Sequence, residues 1–119
     1  MRRAFAHDAV VVMETDGDVR APGAAITVAL CGHWDHRPPC PLAPHHTAVE
    51  RSGAELRLRV LFAAEAAAET QVRDRIGEAL SWGRLEGPDG VTTRWRFQGA
   101  CPNPIREDEA EHAERLIRS

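Results

Sequence analysis

The chain has 119 residues, 43% hydrophobic and 28% charged, with a formal net charge of −3. That length suits one domain with its own core, and the balance excludes a disordered, collagen-like or membrane-embedded chain. A negative net charge argues against nucleic acid or an anionic membrane as a general partner, because both depend on a cationic field.

All fifteen basic residues are Arg, and the chain has neither Lys nor Tyr. Such uniformity reflects a composition bias, so each Arg is a weaker sign of anion recognition than usual. Near the start, His7 and Asp8 interrupt the apolar stretch before it reaches the length of a signal-peptide core. No segment has the length of a membrane-spanning helix. The expected compartment is the cytoplasm, where an odd set of three cysteines points to metal binding or free thiols rather than a disulfide framework. A Cys31–Cys40 disulfide is the alternative in an exported protein.

In chain order, residues 9–14 form a β-branched run and Thr15-Asp16-Gly17-Asp18 a turn. Residues 24–31 alternate, with Ile26, Val28 and Leu30 on one face, which predicts a second strand paired with the first as a hairpin. From residue 32 to 47 the chain carries Pro38, Pro39, Pro41 and Pro44, so neither helix nor central strand is expected there. Residues 55–62 alternate cleanly, with Leu56, Leu58, Val60 and Phe62 opposite Arg57 and Arg59.

A helical period follows over 64–82, with Ala68, Val72, Ile76 and Leu80 on one stripe and Gly83 as its stop. Gly87-Pro88-Asp89-Gly90 is a turn, and 91–98 alternates with Val91, Thr93, Trp95 and Phe97 inward. Asn103-Pro104 reads as the cap and first position of a last helix, acidic in its first turn and basic, at Arg115 and Arg118, in its last. The expected fold is a single α+β domain over residues 1–119. Its order is β-β-loop-β-α-β-α, a two-layer sandwich of a four-stranded, mainly antiparallel sheet with one wet face and two helices.

The run CGHWDHRPPCPLAPHH, residues 31–46, holds four of the six histidines and two of the three cysteines. Zinc takes four nitrogen or sulfur ligands in a tetrahedral array, and a short loop bearing several of each closes around it at modest entropic cost. The candidate ligands are Cys31, His33, His36, Cys40, His45 and His46. His33, His36 and Cys40 form the central set, with one of His45 and His46 as the fourth, since neighbouring residues seldom reach one ion. Copper is the second choice of metal. The spacing reproduces neither a zinc ribbon nor a C2H2 finger.

Asp35 is placed to orient a ligating imidazole. With an open fourth position and Asp35 or Glu50 as base, the site would be a small metal-dependent hydrolase, so enzymatic activity is left undecided. A nucleophilic Cys40 or Cys31 beside an imidazole is a further option, and Cys101 reads as a packing residue. The other class of function is a metal-free interaction module. There Arg57, Arg59, Arg94 and Arg96 would form a cationic sheet face for an acidic or anionic partner, or an exposed sheet edge would make a homodimer. Base stacking on that face has no aromatic platform. No stretch matches a recognisable family motif.

Overall fold

In a computed structural model of the chain, residues 1–31 and 43–118 are described, Cys31 in its backbone only. The elements are β1 (Arg2–Met13), α1 (Ala21–Cys31), β2 (His45–Ser52), β3 (Glu55–Glu65), α2 (Glu69–Ser81), β4 (Arg84–Glu86), β5 (Thr92–Asn103) and α3 (Ala110–Arg118). Short 3-10 turns lead into α2 and α3. The strands form one curled antiparallel sheet in the order β2-β3-β1-β5-β4. Omitting β4, the chain runs β-α-β-β-α-β with β3 inserted between β1 and β2, the split βαβ arrangement. Among the described residues, no helix is long and apolar enough to cross a membrane.

The expected four-stranded sheet with two helices is corrected on several counts. Residues 24–31 are helical, not a strand, and β1 pairs with β3 and β5 instead of forming a hairpin with that segment. Helix wins because Ala21, Ala25, Ile26 and Leu30 are all buried, a spacing of four and five that only a helix puts on one side. Asp18 starts it: its side chain accepts from the Arg20 amide at 2.9 Å and its carbonyl from that of Ala21 at 3.0 Å. Pro22 falls in the first turn, where its missing N–H costs nothing.

Residues 45–52 are a strand, because the proline-rich stretch ends at Pro44 and His45 onward is free to pair with β3 in unbroken register. Gly53, with φ +63, makes the tight return that joins the two. β3 also runs three residues further than expected, so α2 starts at Glu69, and Gly83, with φ +70, ends it as predicted. The last helix is not capped by Asn103, which closes β5. Instead Arg106 and Glu109 form a capping box, the Glu109 carboxylate accepting from the Arg106 amide at 2.8 Å.

The main core lies between one sheet face and α1 and α2. Leu56, Leu58, Val60 and Phe62 of β3, Val11 and Met13 of β1 and Trp95 of β5 meet Ile26, Leu30, Val72, Ile76 and Leu80 there. Trp95 is also tied to α2 by its indole N–H, which donates to the Leu80 carbonyl at 2.9 Å. The other face is not simply wet, as the two-layer expectation had it. α3 covers part of it, burying Ala6, Leu61 and Ala63 under Leu116.

Candidate functional site

Alternation along the strands decides which side chains share the face that α3 half covers. Asp8 of β1 stands opposite Arg59 of β3, and Glu50 of β2 stands opposite Arg57. With His46, Ala48, Leu61 and, from the α3 end, Arg106, Asp108, Glu109 and His112, they line a cleft of about 720 Å³.

One end of the cleft is closed by an ion-pair network. The Arg59 guanidinium donates to both oxygens of Asp8 at 3.0 Å and to both oxygens of Glu109 at 2.7 Å, and also to the Pro104 carbonyl at 2.9 Å. Asn103 adds an amide hydrogen bond to Asp8 at 2.6 Å. The Arg59 side chain is only 13% exposed. Glu109, receiving hydrogen bonds from Arg59, has its pKa held down to about 2, and the Arg59 pKa rises in turn. This network fixes α3 to the sheet.

At the other end, His46 of β2 lies against His112 of α3, ring centroids 4.6 Å apart and planes inclined at 55°. His46 is exposed and His112 half-buried. The His112 pKa is lowered, first by burial, then by the nearby His46 and Arg115, with Glu109 opposing. A neutral imidazole is the form that binds metals. Two imidazoles aimed at one tetrahedral ion, with metal–nitrogen bonds of about 2 Å, have centroids about 5 Å apart. The observed centroid separation of 4.6 Å is close to that distance.

No protein-family model, curated protein or solved structure matches this chain.

Of the sequence candidates, His33, His36 and Cys40, like Asp35, lie outside the described residues, and Cys31 ends α1. His45 and His46 point to opposite faces of β2. His45 faces α1, where its Nδ1–H donates to the Ala43 carbonyl at 3.2 Å and Nε2 sits 3.0 Å from the Thr27 hydroxyl. Burial is the main cause of its lowered pKa. With both ring nitrogens engaged, His45 has a structural role, and His46 is the member of the pair that opens on the cleft. Among the described residues no three His, Cys, Asp or Glu side chains form a ready metal set.

The arginine face is divided. β1 lies between β3 and β5, so Arg57 and Arg59 are a strand apart from Arg94 and Arg96. Arg59 is consumed by Asp8 and Glu109, and Arg57 pairs with Glu55 at 3.1 Å. Cys101 is exposed rather than packed. The residue that the sequence did not single out is His112, and nothing local marks it. Only the docking of α3 brings it to His46.

Proposed function

We propose that the protein is a transition-metal-binding domain, zinc first and copper second, whose site lies where β2 emerges from the Cys/His-rich segment. His46 and His112 are the ligands that the fold supports, and His33, His36 and Cys40 are the donors that the sequence supplies beside them. The observation that carries this reading is the 4.6 Å approach of His112 to His46. It brings a histidine from far along the chain to His46, one of the four histidines in residues 31–46.

The test is elemental analysis of the untagged protein with zinc titration of two double variants. Wild-type protein is expected to hold near-stoichiometric zinc. His46→Ala/His112→Ala and His36→Ala/Cys40→Ala should each weaken binding by about tenfold or more. Wild-type protein that stays folded and takes up no metal would end the proposal.

A further inference from the structure

Among the described residues two imidazoles leave a zinc ion short of ligands, and the edge on which His46 stands points to another donor. β2 is an edge strand of eight residues in regular register with β3, and among the described residues it has no second neighbour. The hydrogen-bond phase of that edge can be read from the ladder. The Ala63 amide donates to the Pro44 carbonyl at 3.0 Å, so the even-numbered residues of β2 bond to β3. The N–H and C=O groups of Thr47, Val49 and Arg51 therefore point out of the sheet. Val49 is also 39% exposed, the large apolar side chain this edge leaves to solvent. Neither a bulge nor an internal proline blunts the strand.

The sequence of this edge, HHTAVERS, is complementary to itself in one antiparallel register. With Ala48 on a two-fold axis perpendicular to the sheet, Thr47 and Val49 exchange backbone hydrogen bonds with Val49 and Thr47 of the second copy. His46 then stands opposite Glu50 of the partner subunit as a non-hydrogen-bonded pair, the closer kind, with Cα atoms about 4.5 Å apart. Both side chains lie on the α3 face, because directly opposed residues share a face. An acid thus meets a histidine twice, and Val49 is covered by Thr47 of the partner subunit. Sliding one strand by two residues sets Glu50 or His46 opposite Ala48 of the partner subunit and loses the acid–histidine pair, and sliding by four sets Glu50 against Glu50 of the partner subunit in one direction and His46 against its own copy in the other, both of like kind.

We infer that β2 pairs with β2 of a second copy of this chain about Ala48, and that Glu50 of the partner subunit joins His46 and His112 as a carboxylate ligand. The dimer carries two such sites, each with three ligands from the described residues. The carboxylate role rests on the metal-binding reading above, whereas the strand pairing stands on the edge geometry.

The test uses the untagged full chain. Sedimentation at about 100 µM, with EDTA and then with zinc, is expected to give a dimer that zinc tightens. Val49→Pro deletes only an outward N–H, so it should leave a folded monomer by circular dichroism, with zinc affinity lowered about tenfold. Glu50→Gln should lower zinc affinity comparably. Two cysteine variants report the register independently of metal. Under oxidation Ala48→Cys should form a covalent dimer well above wild type, since the paired Cα atoms fall within disulfide range, and Glu50→Cys should not. A monomeric wild type, or equal cross-linking by the two variants, overturns the pairing. Zinc affinity unchanged by Glu50→Gln overturns the carboxylate role. Cross-linking at position 48 in protein that binds no zinc overturns the metal-binding reading, and the carboxylate role with it, while the pairing stands.

Discussion

Replacing Arg59 with Met would leave Asp8 and Glu109 facing each other beneath α3 with their shared cation gone. An arginine side chain 13% exposed, with donors directed at two carboxylates, is costly to delete because the acids remain partly desolvated. The expected loss is about 3 kcal/mol, read as a lower urea midpoint. An unchanged midpoint would mean that the network contributes nothing to the docking of α3. In the sequence, alternation correctly assigns Arg59 to the face opposite Leu58 and Val60. It cannot show that the face is occupied, since Asp8 and Glu109 lie far away along the chain. A residue's face is a local property and its partner a tertiary one, so Arg59 reads as a free cation until the sheet is assembled. His112 escapes notice for the same reason.

At the scale of elements, β3, α2 and the first half of β5 are legible because their apolar periods are long and unmixed. α1 is not, because Ile26, Val28 and Leu30 fit a two-residue period over a short window while the helical face is written mainly in alanines. β2 is hidden by polar composition, HHTAVERS, and owes its existence to pairing with β3. The smallest independent packing unit is α3, seated by Leu116 on Ala6, Leu61 and Ala63. Leu116→Ala is therefore expected to cost about 2 kcal/mol by denaturation. It should also weaken zinc binding, because His112 rides on the same helix. A stability loss with zinc affinity unchanged would separate His112 from the site.

Acid stability belongs to the whole molecule, because the groups involved are spread over the sheet and all three helices. His7 is buried beside α2, its Nδ1 accepting from the Arg73 guanidinium at 2.9 Å, and burial followed by that cation lowers its pKa. His45 and His112 are shifted the same way. In the unfolded chain each titrates near 6.5. Below that value the unfolded chain takes up protons that the folded one refuses, so stability is greatest above it and falls as pH drops towards the folded values. Glu109 acts later. Its carboxylate is held at about 2 in the fold against 4.5 unfolded, so its contribution persists above 4.5 and is lost as pH falls below it.

Metal-free protein in EDTA should therefore lose stability in two stages, the first between about pH 7 and 5 and the second below about pH 4.5. Urea midpoints across that range give the measurement. His7→Gln, which retains an acceptor for Arg73, should shrink the first stage and spare the second. Arg59→Met should do the reverse, because Glu109 without its guanidinium titrates more nearly as it does unfolded. A profile flat down to about pH 5 would contradict the neutral, buried state assigned to His7. Equal effects of both variants on both stages would instead show that the α2 and α3 sides of the sheet do not titrate as separate acid-sensitive contacts.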